Sequence, residues 1–366
     1  MKSISLNNKK IFESKLTITT NCTLRCKYCF VNKLNRIQKM DLKTAKAAVD
    51  FIMVNGPKDK IIKIYGGEPM LNFDILPKLV SYINKKKSSK TNLTLSLCTN
   101  AVILKPEHID FFKKNNFLLA ISFDGKKETH DKFRRFENDQ GSFNIVTFNL
   151  KLLLQKISKR NIAANISVVA SEAGKMFENF KYVIFKGFDT VNLEPIYGFG
   201  NWEENHQKEF ENQMGKIIKY ILNGIPKNQF VFLTTINREL KYRTLSRLKK
   251  GVCLFDQFLE VYPNGEMAFS SFFFNLPLAQ RRKYIIGNVL NGGLKSKYRS
   301  CEYKDGDKCQ KCLIEYFDIS DNSQSSKVVQ KRNLLSIQTA EYLNNMAQDN
   351  NLFKEYIKEA NRHICF

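Results

Sequence analysis

The stretch "NCTLRCKYCF" (Asn21–Phe30) places three cysteines, Cys22, Cys26 and Cys29, directly after a β-branched run, "KLTITT" (15–20). The run predicts a strand, and the segment after it predicts a loop. Thiolates gathered in one loop are typical ligands of zinc or of iron–sulfur clusters. A structural zinc site is closed by four ligands, commonly in two separated pairs, and no fourth ligand lies near this loop. The spacing therefore favours a [4Fe–4S] cluster with one open iron, with a zinc knuckle or chance spacing as alternatives.

Segments typical of strands and of helices alternate from about residue 15 to residue 200. The predicted strands are "KLTITT" (15–20), "IIKIY" (61–65), "NLTLSLC" (92–98), "FLLAISF" (117–123), "NIAANISVVA" (161–170) and "DTVNLEP" (189–195). The predicted helices between them cover 41–56, 77–87, 105–116, 144–157 and 175–187. Such alternation implies a parallel sheet with helices outside it. We expect an α/β fold with a partial (β/α)6 TIM-type barrel, in which loops at the carboxyl ends of the strands carry the chemistry. A doubly wound sheet is the alternative.

The rest of the chain predicts additional segments around this barrel. We expect an N-terminal extension (1–14), the barrel (15–200), a helical connector (201–250), a cysteine-containing domain (251–318), and a terminal linker and helix (319–366). Within the cysteine-containing domain, "FLEVYPNGEMAFSSFFF" (258–274) predicts a hairpin around an Asn-Gly turn. Near the end, "DNSQSSK" (321–327) predicts a polar linker before one helix over 334–362.

Composition limits the class of protein. The 366 residues are 43% hydrophobic, which suffices for a large core, and no apolar run reaches the roughly 20 residues of a membrane span. The first residues lack the apolar core of a secretion signal, so we expect a cytoplasmic protein. Nine cysteines, an odd number, argue against a disulfide framework in such a compartment.

The formal charge of +24 has two interpretations. The lysines and arginines are dispersed at predicted helix ends, where cations favour the helix dipole, or they attract an acidic partner. A zinc-stabilised RNA-binding module is the interpretation from another class of protein. It requires stacking aromatics interleaved with cations on one face, whereas the 29 phenylalanines lie mainly in predicted core positions. Neither nucleic acid nor a membrane is expected as a partner.

The motif "CTLRCKYC" (22–29) resembles the C-x3-C-x-aromatic-C signature of the radical S-adenosylmethionine (SAM) superfamily. The resemblance implies a [4Fe–4S] cluster held by Cys22, Cys26 and Cys29, whose open iron chelates SAM. In that family the cluster cleaves SAM to a 5′-deoxyadenosyl radical, which abstracts a hydrogen atom from the substrate. Tyr28 and Phe30, which flank Cys29, are candidate contacts of the cofactor.

Motifs after the second and third predicted strands agree with this resemblance. "YGGEP" (65–69) is similar to the family's GGEP motif, whose backbone and glutamate meet the SAM amino group. "CTNA" (98–101) resembles a T-N-G motif in which Ala101 replaces the usual glycine. The candidate cofactor contacts from these two loops are Gly66, Gly67, Glu68, Pro69, Thr99 and Asn100.

Further candidates follow the fourth and sixth predicted strands. "SFDG" (122–125) and "HDKFR" (130–134) resemble the S-x-D-G and H-D-x-x-R pattern of the subgroup that carries a C-terminal SPASM or twitch domain. The resemblance implies that Ser122 and Arg134 meet the SAM carboxylate and ribose. Asp124 is either a further contact or only a turn-forming residue before glycine. Leu193 is expected either to touch adenine or to belong to the core.

A second cysteine group, Cys253, Cys301, Cys309 and Cys312, resembles the ligand set of a twitch domain. Four cysteines suffice for one auxiliary [4Fe–4S] cluster, and structural zinc is the alternative. A full SPASM domain has further cysteines, but Ser270, Asp318 and Asn322 occupy the corresponding places. We therefore expect one auxiliary cluster in a twitch- or SPASM-like domain.

This architecture resembles anaerobic sulfatase-maturating enzymes and maturases of ribosomally made peptides (RiPPs). The sulfatase maturases have a catalytic aspartate where this chain has Ser271, so that activity is not expected, and no catalytic residue is identified. We expect hydrogen abstraction from a precursor peptide, leading to a crosslink, an epimerisation or an oxidation. A twitch-type dehydrogenase acting on a small molecule is the alternative. The resemblance also implies an electron donor such as flavodoxin or ferredoxin.

Overall fold

The computed structural model describes residues 13–31, 37–55, 57–242, 258–270, 273, 278–282, 284–294 and 324–362. These residues form two compact units. The first unit draws on 1–119, 135–139 and 253–302, and the second draws on 120–134, 140–252 and 303–366. Each unit is thus built from segments that are separated along the chain.

The strands occur in the order that the sequence predicts. They are β1 (Glu13–Thr19), β2 (Asp59–Gly66), β3 (Asn92–Thr99), β4 (Leu118–Ser122), β5 (Ile162–Val168), β6 (Thr190–Pro195), β7 (Phe232–Leu233), β8 (Phe258–Val261), β9 (Glu266–Ala268), β10 (Gly287–Asn288) and β11 (Gly293–Leu294). The first six correspond to the six predicted strands.

Helices follow the strands. They are α1 (Leu42–Val54), α2 (Leu76–Lys86), α3 (Pro106–Lys114), α4 (Lys127–Phe133), α5 (Phe143–Lys156), α6 (Met176–Phe185), α7 (Glu204–Gly224), α8 (Thr234–Tyr242), α9 (Leu278–Arg281), α10 (Ser325–Asp349) and α11 (Asn351–Ala360). Local signals set several starts: the Asp41 carboxylate caps α1 by accepting from the Thr44 N–H at 2.7 Å, and Pro106 opens α3.

In the first unit, β1, β2 and β3 are parallel neighbours, with Leu16 opposite Ile64 and Ile64 opposite Leu97. Leu16, Ile64 and Leu97 are at most 1% exposed, so this face of the sheet is core. Lys15 and Thr17 alternate with the core residues and lie on the other face. The strand order is β11–β10–β9–β8–β1–β2–β3.

The predicted hairpin is confirmed as the antiparallel pair β8–β9, and its first strand lies parallel to β1. Glu13 pairs with Phe258 and Leu16 with Val261. On the polar face, the Thr17 hydroxyl donates to the Glu260 carboxylate at 2.6 Å. A segment more than two hundred residues downstream therefore covers the edge of β1, which would otherwise present unpaired backbone groups.

In the second unit the strand order is β4–β5–β6–β7, with β5, β6 and β7 parallel. Ile166 pairs with Leu193, and the two side chains are at most 2% exposed. Helices α5 and α6 add Leu150, Leu153, Phe180 and Val183 to the core. The sequence predicted alternating strands and helices here, and the structure confirms the α/β class with parallel strands.

The end of the chain differs from the predicted linker and single helix. Helix α10 already begins at Ser325, inside the predicted linker, because Ser325 and Val328 are fully buried in the second unit. The predicted terminal helix breaks at Asn350, whose side chain caps α11 by accepting from the Leu352 N–H at 3.0 Å. Burial in one case and a local cap in the other override the helix pattern. The predicted domain boundaries stay a prediction.

Within the described ranges, none of the helices combines the length and the apolar character that crossing a bilayer requires.

Candidate cofactor site

The three-cysteine loop begins where β1 ends, and hydrogen bonds fix its base. The Met40 N–H donates to the Ile18 carbonyl at 2.8 Å, and the Thr20 N–H donates to the Gln38 carbonyl at 2.9 Å. The buried Asn72 amide donates to the carbonyls of Ile18 and Met40 at 2.9 and 3.0 Å. The two ends of the loop are therefore held together by hydrogen bonds within the protein itself.

Within the loop, backbone groups bond to sulfur and to the chain itself. The Leu24 N–H donates to Cys22 Sγ at 3.4 Å, and the Cys29 N–H donates to the Cys26 carbonyl at 3.0 Å. Cys22, Cys26 and Cys29 are all half-buried. Hydrogen bonds to sulfur are one means by which proteins tune iron–sulfur clusters.

Burial raises the pKa of the Cys22 thiol to about 11, so the thiol without a metal is neutral at physiological pH. A bound metal reverses this preference, because a coordinating thiol loses its proton. Among the described residues, no group of three His, Cys, Asp or Glu side chains is arranged to hold a single metal ion. Three soft thiolates in one loop would suit the irons of a multinuclear cluster.

The "YGGEP" loop after β2 packs on the start of the cysteine loop. The Gly67 N–H donates to the Thr19 carbonyl, and the Glu68 N–H donates to the Asn21 carbonyl, both at 2.8 Å. A Cβ on Gly67 would lie 2.3 Å from the Asn21 carbonyl oxygen, and Gly66 has φ of +151°. The sequence predicted that these glycines admit a ligand, but the structure shows that they first admit the backbone of the cysteine loop.

Glu68 links the "YGGEP" loop to the "CTNA" segment at the end of β3. Its carboxylate accepts from the Thr99 hydroxyl and the Asn100 N–H, both at 2.7 Å, and from the Met70 N–H at 3.1 Å. Asn100 in turn donates its amide to Cys22 Sγ at 3.5 Å and to the Thr23 hydroxyl at 3.2 Å. Three motifs that are distant along the chain thus form one hydrogen-bonded cluster in the first unit.

The Glu68 side chain is fully buried, and this burial raises its pKa to about 7 in spite of three hydrogen bonds that favour the carboxylate. Pro69 is also buried and opens a short 3₁₀ helix (Pro69–Ile75). Tyr28 and Phe30, the predicted contacts beside Cys29, are half-buried. Their assignment to the cofactor stays a prediction.

The second unit holds the other predicted group. Arg134 forms a two-point ion pair with Asp124, with Nε–Oδ2 at 2.8 Å and Nη2–Oδ1 at 3.0 Å. The Ser167 N–H donates to Asp124 Oδ1 at 2.9 Å, and Arg134 Nη2 donates to the Ser167 hydroxyl at 3.2 Å. Asp124 is 1% exposed and Arg134 is 6% exposed. The aspartate is therefore a buried ion-pair partner of Arg134 and not merely a turn residue.

Three serines complete this group: Ser122, which the sequence singled out, and Ser142 and Ser167, which it did not. Ser122 is buried beside Asp124 at the end of β4, whereas Ser167 and Ser142 come from β5 and from the residue before α5. The imidazole of His130 is 3.0 Å from the Ser142 hydroxyl. His130 belongs to the quoted "HDKFR" motif, but no local pattern marks Ser142 or Ser167.

Leu193 lies in the core at 1% exposure, on the opposite face of β6 from Glu194. Its neighbour Glu194 is bound by Arg332 of α10 at 2.7 Å and accepts from the Tyr197 hydroxyl at 2.5 Å. The structure therefore shows a packing role for Leu193, and its contact with adenine stays a prediction.

The second cysteine group cannot be placed in the same way. Cys253, Cys301, Cys309 and Cys312 lie outside the described residues, as do Ser271, Asp318 and Asn322. The auxiliary cluster therefore stays a prediction from the sequence.

Comparisons with known proteins give a family match over the part of the chain that contains the three cysteines. Residues 16–180 match the family described as the Radical SAM superfamily. The chain is 28% identical over 245 residues to the cysteine-type anaerobic sulfatase-maturating enzyme of Clostridium novyi, covering 63% of each chain. It is 25% identical over 181 residues to the radical SAM cyclopropyl synthase TigE of Paramaledivibacter caminithermalis, covering 45% of this chain and 37% of the relative. Each match thus spans less than two thirds of the relative.

Solved structures show the same fold. The structure of anSMEcpe with bound AdoMet superimposes with a TM-score of 0.71 at 17% identity and covers 96% of this chain and 100% of that chain. Streptococcus suis SuiB bound to S-adenosylmethionine gives a TM-score of 0.50 at 15% identity, over 72% of this chain and 61% of that one. At these identities the likeness concerns the fold alone.

Proposed function

We propose that this chain is a radical SAM enzyme that abstracts a hydrogen atom from a residue of a peptide substrate and so starts the maturation of that peptide. When bound, the [4Fe–4S] cluster and SAM supply the one-electron cleavage that makes hydrogen abstraction possible. The protein's part is to hold both groups, orient them and keep water away.

The observation that carries the proposal is the hydrogen-bonded cluster of the first unit. Asn100 donates to Cys22 Sγ, and Glu68 binds Asn100 and Thr99 while its own N–H donates to the cysteine loop. Under the proposal, Cys22, Cys26 and Cys29 hold the cluster. The backbone of the glycine pair and the Glu68 carboxylate receive the SAM amino group.

Further predicted residues would contribute charge and hydrogen bonds under the same proposal. The guanidinium of Arg134, oriented by Asp124 and Ser167, and the hydroxyl of Ser122 would meet the carboxylate and ribose of SAM. A buried guanidinium that keeps its charge at any physiological pH is suited to an anionic ligand. Leu193 would contribute an apolar surface near the adenine.

The peptide substrate is proposed from the relatives. The anSMEcpe structures include complexes with the Cp18Cys and Kp18Cys peptides, and SuiB has been solved with its precursor peptide SuiA. The formal charge of +24 would favour a substrate or leader segment with acidic residues.

Two further components belong to the proposal. An electron donor such as flavodoxin or ferredoxin would deliver the electron. One auxiliary [4Fe–4S] cluster would be held by Cys253, Cys301, Cys309 and Cys312.

Replacing Cys26 by alanine tests the cluster assignment. We expect the Cys26→Ala protein, purified and reconstituted without oxygen, to lose the formation of 5′-deoxyadenosine from SAM under reducing conditions. The matched control is Cys98→Ala, which removes a half-buried thiol from β3 and leaves the loop intact. Undiminished 5′-deoxyadenosine from Cys26→Ala would contradict the proposal.

Metal content and product mass separate the remaining parts of the proposal. Two clusters correspond to about eight irons and eight sulfides per chain, and the loop cluster alone to about four. The Cys309→Ala protein should lose about half of the iron and keep uncoupled SAM cleavage.

Incubation with SAM and candidate peptides, followed by mass spectrometry of the peptide, tests the substrate class. A mass change only in small-molecule substrates would contradict peptide maturation.

A further inference from the structure

A line of hydrogen bonds in the second unit starts at the backbone of Asp124 and ends at the backbone of Arg134. The Asp124 N–H donates to His130 Nδ1 at 3.4 Å, and His130 Nε2 is 3.0 Å from the Ser142 hydroxyl. The Ser142 hydroxyl donates to the Arg134 carbonyl at 2.9 Å. We call these three contacts the His130–Ser142 relay.

The relay has a direction. Because Nδ1 of His130 accepts a backbone N–H, the neutral ring must carry its proton on Nε2. Nε2–H therefore donates to the Ser142 oxygen, and the Ser142 hydroxyl proton is directed to the Arg134 carbonyl. Every donor in the line meets an acceptor, so the relay has one consistent arrangement.

The ring is held neutral by its surroundings. His130 is fully buried and packs against both Phe123 and Phe143, with ring centroids 5.5 and 5.8 Å away. Burial lowers its pKa to about 4. The charged groups that act on it are the carboxylates of Asp124 and Asp131 and the cations of Arg134 and Lys127, which offset one another in sign.

The two ends of the relay belong to the two residues whose side chains form the ion pair. Asp124 and Arg134 are joined at 2.8 and 3.0 Å through their side chains, and through His130 and Ser142 at the backbone. The four residues therefore close a ring of contacts. A closed ring fixes the plane of the guanidinium more firmly than the ion pair alone, because movement of either residue breaks bonds on both sides.

We propose that His130 and Ser142 are positioning residues that set the orientation of the Arg134 guanidinium toward SAM. The proposal rests on the proposed function, since it takes Arg134 as a SAM contact. It excludes a role for His130 as acid or base, because the ring is buried and both of its nitrogens are committed to hydrogen bonds.

SAM affinity of the reconstituted holoenzyme, measured by anaerobic equilibrium dialysis, gives the first test. His130→Phe keeps an aromatic ring against Phe123 and Phe143 but removes both hydrogen bonds, and Ser142→Ala removes the link to Arg134. Each lost hydrogen bond corresponds to roughly a three- to tenfold change, so we expect the Kd to rise about tenfold. His130→Gln, which can still donate to Ser142, should recover part of the loss.

The matched control is His108→Phe. His108 is also largely buried, accepts a backbone N–H from Lys105 at 3.2 Å and packs on Phe73 with centroids 4.3 Å apart. It belongs to the first unit, whereas the relay belongs to the second. His108→Phe should change the Kd for SAM less than about twofold, which separates the relay from the general cost of losing a buried histidine.

A double-mutant cycle with Arg134→Lys distinguishes positioning from a merely structural role. Lysine cannot reproduce the two-point pair with Asp124. If His130 acts through Arg134, then His130→Phe should raise the Kd less than about twofold in the Arg134→Lys background. Equal effects of His130→Phe in both backgrounds would overturn the proposal.

Nitrogen NMR of the holoenzyme labelled in its four histidines gives a readout that does not depend on activity. We expect His130 to show the Nε2–H tautomer without change from pH 5.5 to 8, and Ser142→Ala to shift its Nε2 resonance. An Nδ1–H tautomer or a titration in this range would overturn the relay.

The SAM-binding measurements separate the two proposals. Wild-type protein that binds no SAM would overturn both the proposed function and the positioning role. Wild-type binding with an unchanged Kd in His130→Phe would overturn the positioning role alone.

Discussion

At the scale of single residues, burial decides the charge of the most informative side chains. Glu68 and His130 are both fully buried, and burial moves their pKa values toward the neutral form, up to about 7 and down to about 4. Arg134 and Asp124 instead keep their charges by pairing with each other. Each unit thus holds a buried polar group whose hydrogen bonds fix the geometry of its side chains.

The stability of the fold should depend on pH through His130. Its pKa falls from 6.5 in the unfolded chain to about 4 in the folded one, so the unfolded state binds the extra proton between these values. The free energy of unfolding should therefore fall as the pH drops from about 6.5 to about 4, by roughly 2.5 kcal/mol at about pH 4.5. Urea titrations at pH 7 and 4.5 measure this. The His130→Phe protein should lack this part of the change, and an identical pH dependence would contradict it.

Ala101 marks a position where the sequence departs from the expected glycine. Its φ is +60°, in the left-handed region that costs a residue with a Cβ about 1–2 kcal/mol. Ala101→Gly should raise the free energy of unfolding by about 0.5–1 kcal/mol, since glycine's greater freedom in the unfolded chain offsets part of the relief. Denaturation in urea measures the change. As a control, Ala48→Gly inside α1 should lower stability by about 1 kcal/mol, and a loss at both sites would contradict the strain.

At the scale of elements, the loops after strands are fastened to one another by a few buried groups. Glu68 fastens the loop after β2 to the end of β3, and the neighbouring glycine lets that loop lie on the end of β1. The cysteine loop is thus supported by the segments that follow β2 and β3, which lie on one side of β1 in the sheet. This support exists in the protein without its cofactor.

Glu68→Gln should destabilise the first unit while hardly changing its volume. The Thr99 hydroxyl, the Asn100 N–H and the Met70 N–H all donate to Glu68, so an amide N–H₂ in place of one oxygen would face a donor. We expect a loss of about 1–3 kcal/mol in the free energy of unfolding and weaker SAM binding. Thermal denaturation and dialysis of the reconstituted protein measure the two effects. Glu107→Gln, an exposed glutamate on α3, is the control and should change neither.

At the scale of the molecule, each unit joins segments that are far apart along the chain. The hairpin strand β8 lies beside β1 in the first unit, and α10 packs on α7 and α8 in the second. Helix α10 buries Val328, Ile337 and Leu343 almost completely. Segments that follow the predicted barrel in the sequence therefore complete its sheet edge in the first unit and the helical packing in the second.

A fragment of residues 1–250 should not reproduce the fold of the full chain. It would expose the edge of β1 and the apolar surfaces of α7 and α8 that α10 covers. We expect a fragment that aggregates or binds a hydrophobic dye and unfolds at lower urea concentration than the full chain. Size-exclusion chromatography and dye fluorescence measure this. A monomeric fragment with full-length stability would show that the later segments are dispensable.

Much of the fold follows from patterns that act over a few residues. The six strands, the Asp41 cap and the Asn-Gly hairpin all appear in the sequence because periodicity, capping and turn chemistry are local. The start of α10 inside the predicted linker and the break at Asn350 were not predicted. The α10 start depends on burial, and the break depends on a cap inside an otherwise helical pattern.

The sequence by itself determined which candidate residues this protein carries: three thiols in one loop, a glycine pair before Glu68, and the motif that contains Arg134. Their types and spacing are what the predicted cofactor would require. Only the tertiary structure decided their partners. Asn100 beside Cys22, Ser167 beside Arg134, Ser142 beside His130 and β8 beside β1 are contacts between residues far apart in sequence, and they exist because parallel strands bring their ends to one edge and burial leaves each polar group in need of a partner.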